Sequence, residues 1–350
     1  MCDPEERGHV SSPNGLRRHP ASIRDVARIA GVSRQTVSRV LNSHPSLRPE
    51  TRDRVQAVIN QLGYRPNRVA RALGGNRSHT IGVLAAQRSQ YGPAAAIQGI
   101  ESAAQEVGYV VNTTNLVNST PEAIREALAQ QLDQMVDGIV IIAPQTPVLD
   151  ELNELELTIP YVLLHSRSPD DPHELFVDQL AGAKTVVRHL LELEHREIHH
   201  LAGPQEWMEA QARLHGFQDE LNDAGIRPPA SLFGDWSAES GYRRGHELLA
   251  GNEVTAIFAA NDQMALGLMH ALRDRGLDVP RDVSVVGFDD IPEAAHFHPT
   301  LTTVRQDFNE LGRQCVARLI NPSIQNMVTS GAALPPTLVV RKTTAICPRR

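Results

Sequence analysis

From His79 onward the chain alternates short apolar runs with amphipathic stretches, and this leaves few architectures open. The runs "TIGVLAA" (80–86), "YVVNTT", "GIVIIAP" (138–144), "PYVLLH", "EIHHLAG", "TAIFAAND" (255–262), "VSVVGFDD" (283–290) and "TLVVRKTT" read as strands. Between them, stretches such as "AAIQGIESAAQEVG" and "QMALGLMHALRDRG" read as helices. Strand–helix alternation with short loops predicts parallel sheets covered on both faces. So many strands exceed one comfortable sheet, which predicts two doubly wound lobes with a cleft between them.

Charge separates this body from what precedes it. From Arg17 to Arg77 there are thirteen Arg, no Lys, and only Asp25, Glu50 and Asp53 as acids, a local charge of +10. The whole chain carries −7, which leaves −17 for the remainder. A basic module on an acidic body is the electrostatic outline of a DNA-binding head joined to a regulatory domain. The other bulk properties exclude more than they assign. Cys2, Cys315 and Cys347 lie far apart and fit no zinc or disulfide spacing. The first twenty residues are polar with no apolar core of a signal peptide, and no apolar run reaches the ~20 residues of a membrane span. A cytoplasmic protein with a disordered start, no cofactor and no metal is expected.

The head itself has a pattern. Val26, Ile29 and Ala30 give one short helix an apolar edge, and Gly31 follows as a stop that tolerates positive φ. Ser33 caps a second helix that turns Val37, Val40 and Leu41 inward and leaves Arg34, Gln35, Ser38 and Arg39 outward. Two short helices across a three-residue turn predict a helix-turn-helix whose second helix reaches major-groove base edges. A third helix starts at Pro49 and Glu50, after the poor cap Arg48, and closes the mini-core with Val55, Val58, Ile59 and Leu62.

"IRDVARIAGVSRQTVSRVLN", "YRPNRVARAL" and much of the sequence after them resemble the LacI/GalR family of bacterial transcription regulators, in particular its lactose-repressor type, from about residue 22 to 346. The resemblance implies DNA contacts from Ser33, Arg34, Gln35, Thr36, Ser38, Arg39, Asn42 and Tyr64. Arg bidentate to guanine and Gln to adenine are the fitting pairings, and Arg34 replaces an aromatic residue of the type member, so the operator should differ. It further implies that Asn67 to Leu73 form a hinge helix that orders when two copies pair over DNA, with Asn67, Arg68 and Arg71 at the backbone and Leu73 wedged into the minor groove. The alternative for Leu73 is an ordinary core leucine.

The implied organisation is a disordered tail (1–20), a helix-turn-helix domain (21–66), a hinge helix and linker (67–78), an N-terminal lobe (79–177 plus 307–336) and a C-terminal lobe (178–306 plus 337–346). The fold class is thus α/β, an all-α head followed by two parallel-sheet lobes of periplasmic-binding-protein type. Ligands of open α/β sheets bind beyond the carboxyl ends of the strands, where Asn261, Asp262, Asp289, Asp290 and His165 fall. The resemblance carries a sugar pocket onto Trp236 of "GDWSA", Asn261 of "AND", Asp289 of "GFDD", and Gln306 and Phe308 of "RQDF". Trp236 offers a flat apolar platform for sugar C–H groups, Asn261 and Asp289 give hydroxyls donors and acceptors, and Tyr91 and Pro93 fall at a small apolar wall.

Three departures mean that the sugar need not be the same one: His165 stands for a pocket aspartate, Gln211 for a pocket arginine with Arg213 two residues on, and Trp207 for a small polar residue. Asp290 reads as a turn or capping aspartate, and Arg213 as either a pocket residue or an ion pair at the interlobe hinge. His195 and His199 of "HREIHH" straddle a helix end and a strand start, so a surface position is expected rather than zinc. No phosphate loop, nucleophile elbow or HExxH motif appears, which argues against an enzyme. The expected partners are operator DNA, a small sugar and a second copy of the chain, since no apolar heptad tail follows "RKTTAICPRR".

Overall fold

The first helix of the head is fixed by a reciprocal cap. In the computed structural model, which describes residues 21–41, 47–64, 77–116, 120–142, 157–165, 171–250, 254–321, 323–324 and 331–348, the chain divides into units at Ser78 and His79. In α1 (Ile23–Ala30) the Ser22 Oγ accepts from the Asp25 amide while Asp25 Oδ2 accepts from the Ser22 amide at 3.0 Å. Gly31, at φ 65°, ends that helix in the left-handed conformation that glycine tolerates best. Ser33 Oγ then takes the Thr36 amide at 3.0 Å and opens α2 (Arg34–Leu41). The third helix, α3 (Pro49–Leu62), starts without a side-chain cap at Arg48 and relies on Pro49.

Val26, Ala27, Ala30, Val37, Val40, Val55, Val58 and Ile59 form the head's core. One residue of the expected stripe is misplaced: Ile29 is 48% exposed and Ala27 is buried instead. Because α1 packs against both α2 and α3, its buried face runs through Ile23, Val26, Ala27 and Ala30, an arc about its axis that leaves Ile29 outside.

The body opens with β1 (Thr80–Ala86), α4 (Tyr91–Glu106), β2 (Val110–Leu116), α5 (Pro121–Asp133), β3 (Gly138–Ile142) and β4 (Tyr161–Leu163). These strands form a parallel sheet in the order β2-β1-β3-β4, with Thr80 opposite Val110 and Ile81 opposite Gly138. After β5 (Leu175–Val177) the chain builds a second sheet from β6 (Ile198–Ala202), β7 (Leu232–Phe233), β8 (Ala256–Ala259), β9 (Ser284–Asp289), β10 (Thr302–Arg305) and β12 (Thr337–Val339), in the order β12-β10-β9-β8-β6-β7. Only β12, at one edge, is antiparallel among these described strands. The helices of this part are α6 (Gln179–Glu192), α7 (Met208–Asp223), α8 (Ala238–Leu248) and α9 (Asp262–Asp274).

Three crossings knit the lobes. β5 pairs with β11 (Ala332–Leu334), and Leu175, Val177 and Leu334 join the first lobe's core. α10 (Phe308–Ile320) follows β10 of the second sheet yet buries Leu311, Cys315, Val316 and Leu319 against Ile81, Ile97 and Ile100 of the first lobe. Gly99 and Gly312 make that docking close, since a Cβ at Gly99 would overlap the Phe308 carbonyl oxygen. The chain therefore passes between lobes at 178, at 306–307 and at 335–336.

The expected surface position of His195 and His199 is wrong. His195 is fully buried, with Nδ1 3.1 Å from Thr255 Oγ1 and Nε2 3.1 Å from Ser284 Oγ and 3.0 Å from the Ala345 carbonyl. His199 is buried within β6, a strand flanked on both edges and covered on both faces, so alternation along it exposes no side chain. Among the described residues, no group of three or more His, Cys, Asp or Glu is arranged to hold a metal ion, and no helix is long and apolar enough to cross a membrane.

Candidate functional site

On the head, α2 presents Arg34, Gln35 and Arg39 to solvent, with Ser33 exposed at its start and Thr36 and Ser38 half-buried. Burying Val37 and Val40 against α1 and α3 forces this orientation, because those positions lie on the opposite side of a 3.6-residue period. Tyr64, also half-buried, closes the core edge after α3. Asn42, Asn67, Arg68, Arg71 and Leu73, and with them the expected hinge helix and the tail 1–20, lie outside the described residues.

In the body, a cavity of about 230 Å³ lies between the lobes at the carboxyl ends of the strands. That is room for a small organic molecule rather than a peptide. Tyr91, Pro93, His165, Trp207, Arg213, Trp236, Asn261, Asp289, Gln306 and Phe308 all line it. Tyr91 and Pro93 come from the start of α4, His165 from the end of β4, Asp289 from the end of β9, and Gln306 and Phe308 from the second crossing. Gln211 does not join them: its amide donates to the Gln205 carbonyl at 2.6 Å, and Arg213 is the residue of α7 that enters the cavity. Two residues along a helix is a rotation of about 200°, so the two side chains leave on opposite faces.

A buried polar chain forms the cavity floor. Arg213 Nε donates to Gln179 Oε1 at 2.9 Å, Gln179 Nε2 to Gln306 Oε1 at 2.8 Å, and Gln306 Nε2 to Asp289 Oδ1 at 2.7 Å. Arg213 closes the loop with Nη2 3.5 Å from Asp289 Oδ1, donates Nη1 to the Ala260 carbonyl, and lies 3.8 Å over the Phe288 ring. The two readings of Arg213 thus combine, since one guanidinium lines the pocket and also holds Gln179 at the first crossing. Burial raises the Asp289 carboxyl to about 6 even with Arg213 beside it. Asp289 Oδ2 takes no protein hydrogen bond among the described residues.

The aromatic wall is a T-shaped pair, Trp207 and Trp236, with ring centroids 5.6 Å apart. The benzo edge of Trp236 packs where a Cβ at Gly203 would stand. Asn261 is less available than its position suggests. Its Oδ1 caps α9 through the Met264 amide at 2.8 Å, and its Nδ2 donates to the Trp236 carbonyl at 3.0 Å and Gln263 Oε1 at 2.9 Å. Both donors are committed, which leaves one lone pair. His165 stands 3.8 Å from Glu174 Oε1, both buried. Asp290 faces away from the cavity and bridges Arg305 and Arg341 at 2.6 Å each, so it ties β10 to the segment after β12.

Sequence reasoning missed Gln179 and Glu209, which also line the cavity. Glu209 precedes Arg213 by four residues on α7, a spacing that puts both on one face. Gln179 follows β5 directly at the first crossing.

Comparison with known proteins agrees with both units. Residues 22–67 match the bacterial regulatory proteins of the lacI family, and residues 187–344 match a periplasmic binding protein-like domain. The chain is 38% identical over 331 residues to the lactose operon repressor of Escherichia coli (strain K12), covering 93% of this chain and 91% of that protein. It is 34% identical over 333 residues to the HTH-type transcriptional repressor PurR of Klebsiella pneumoniae (strain 342), covering 93% and 97%. Among solved structures, the lac repressor dimer bound to operator and the anti-inducer ONPF superposes with a TM-score of 0.84 at 37% identity, covering 93% of this chain and all of that one. A complex of the transcriptional regulator CelR with cellobiose gives 0.66 at 30% identity, covering 92% and 99%. With its helix-turn-helix head and two parallel-sheet lobes, this chain belongs to the LacI family of bacterial regulatory proteins.

Proposed function

We propose that this regulator represses sugar-utilisation genes as a homodimer and leaves its operator when a small sugar occupies the interlobe cavity. The observation that carries the reading is the make-up of that cavity: an aromatic wall, Trp207 and Trp236, faces buried polar groups of Asp289, Gln306 and Arg213. Pyranoses have an apolar face and a polar rim, and a site of this kind answers both. A relative whose structure was solved in complex with cellobiose supports the class of ligand. The exposed Arg34, Gln35 and Arg39 supply base readout, one head per half-site of a pseudo-palindromic operator.

The test is an operator-shift titration with neutral monosaccharides and disaccharides. Release of DNA by at least one of them is expected. Operator binding that ignores every sugar would remove the sensor half of the proposal. A transport component that only binds sugar is the rival, and binding to a half-site palindrome by the same preparation would exclude it.

A further inference from the structure

The lining of the cavity holds one carboxyl oxygen that no described residue answers. Glu209 sits in the first turn of α7, one helical turn before Arg213, and lines the cavity. Although the residue as a whole is half-buried, its Oε2 is shielded from solvent and takes no hydrogen bond among the described residues. Arg213 acts on it only as a nearby charge: the guanidinium donates to Gln179 and Ala260 and pairs with Asp289. The indole N–H of Trp236, across the same cavity, is likewise buried without an acceptor. Buried polar groups in native proteins almost always find partners, so an acceptor and a donor left open around one cavity describe what enters it.

We infer that Glu209 is a specificity-determining residue of this cavity: it accepts a hydrogen bond from a ligand hydroxyl or amine N–H and bars sugars that carry a carboxylate or phosphate. The inference rests on the sugar reading above. Among the described residues, Asp178, Glu209 and Asp289 bring three carboxyl groups around the cavity against the single guanidinium of Arg213. An anionic ligand would add a like charge where carboxyl groups already outnumber the one guanidinium, and like charges brought together out of water repel. A hydroxyl can donate to Glu209 and accept from Trp236, so a polyol satisfies both groups at once. Burial also raises the Glu209 carboxyl to about 7, against the lowering pull of its own backbone amide and of Arg213.

The test uses the full-length chain at pH 8, with thermal-shift and calorimetric titration of three sets of probes. The neutral set is galactose, glucose, lactose and cellobiose; the amine set is galactosamine and glucosamine; the anionic set is galacturonate, glucuronate and the 6-phosphates of glucose and galactose. Wild type is expected to bind a neutral or amino sugar at least roughly a hundredfold more tightly than its anionic counterpart. Glu209→Gln, checked for an unchanged fold by its operator binding, should narrow that gap to within about tenfold. If that variant does not fold, Glu209→Ser, which also removes the charge, takes its place, and the wild-type selectivity stands as a test in its own right. Equal affinity of wild type for a neutral sugar and its anionic counterpart would overturn the inference, as would selectivity unchanged by the substitution. Silence from every sugar, neutral or charged, would instead overturn the sugar reading itself, and the inference with it.

Discussion

Arg213→Leu is the most informative single change, because one guanidinium joins the cavity floor to the first crossing. The substitution deletes the bonds to Gln179 and Ala260, the contact with Phe288 and the pairing with Asp289. Removing one partner of a buried ion pair costs about 3–5 kcal/mol. Here the lower end applies, because Asp289 has an escape. Its carboxyl already titrates near 6, and without Arg213 it moves higher and is neutral at pH 7 rather than a stranded charge. About 3 kcal/mol corresponds to a fall of roughly 6–12 °C in the melting temperature of a body this size. The reciprocal change, Asp289→Asn, keeps a side-chain type that tolerates the positive φ of 108° at this position but strands Arg213, at a similar cost. Calorimetry on wild type, both single variants and the double variant then closes a cycle. The double variant should recover at least about 2 kcal/mol relative to the sum of the singles. A melting temperature lowered by less than about 2 °C in Arg213→Leu, or strict additivity in the cycle, would refute the claim that these groups act as one network.

Four further outcomes are expected. Trp236→Ala should abolish any sugar-induced thermal shift while operator affinity, measured by fluorescence anisotropy, is retained; the loss of its buried ring should also destabilise the body by about 3–5 kcal/mol. Arg34→Ala should reduce discrimination at one operator position by about 1–3 kcal/mol in a base-by-base binding screen, with little change at the other positions. Glu209 has a folded-state pKa raised from 4.5 to about 7, so the native state holds a proton that the unfolded chain has released, and stability falls as pH rises through that window. Urea denaturation between pH 4.5 and 7 should show a flatter decline for Glu209→Gln than for wild type. His200 has the opposite sign: burial between Phe217 and Phe258 depresses it from 6.5 to about 4, so its contribution is complete above pH 6.5 and is lost as pH falls toward 4. His200→Leu should lessen that acid loss by up to about 3 kcal/mol, and a profile parallel to wild type would contradict it.

What the sequence revealed, and what it hid, follows from range. Gly31, Ser33 and the turn between them were legible because each acts on backbone within three or four residues. Strands such as β1 and β9 announced themselves as long apolar runs, whereas β5, β7, β10 and β11 have two to four residues each and take their shape from neighbours distant in sequence. Ile29 was misjudged for a related reason. An apolar stripe locates a face to within about one position, and which side of it is buried depends on where α3 lands. His195 and His199 of "HREIHH" were placed at the surface because the stretch straddles a helix end and a strand start, but strand order puts His199 inside a six-stranded sheet, and Thr255, Ser284 and Ala345, distant in sequence, close over His195. The same limit applied to α7. "QAR" contains two candidate polar residues, and only the helix phase, fixed by Phe217 and Leu221 in the core, puts Arg213 and Glu209 on the cavity side and Gln211 away from it.

The cavity and the crossings share residues, and this gives the proposed sensor a physical route. Gln179 stands at the first crossing and Gln306 at the second, and they are bonded to each other at 2.8 Å. Each is also bonded to the second lobe, Gln179 through Arg213 and Gln306 through Asp289. Asp289 can offer its remaining oxygen to a ligand hydroxyl while Oδ1 keeps Gln306, and a bond to one carboxylate oxygen changes the strength of those at the other, since carboxylate, amide and guanidinium form one polarisable chain. On the proposed reading, occupancy therefore alters the hydrogen bonds that hold two of the three strands of chain between the lobes. The ligand shifts lobe placement by no more than the difference in its affinity for the two placements, and operator binding must weaken ligand binding by the same factor. That reciprocity is open to measurement: the dissociation constant of an effective sugar, titrated with and without saturating operator, should change by the factor by which the sugar changes operator affinity. The route itself is tested by Gln179→Leu: a factor unchanged in that variant would mean that the Gln179–Gln306 bridge does not carry the signal.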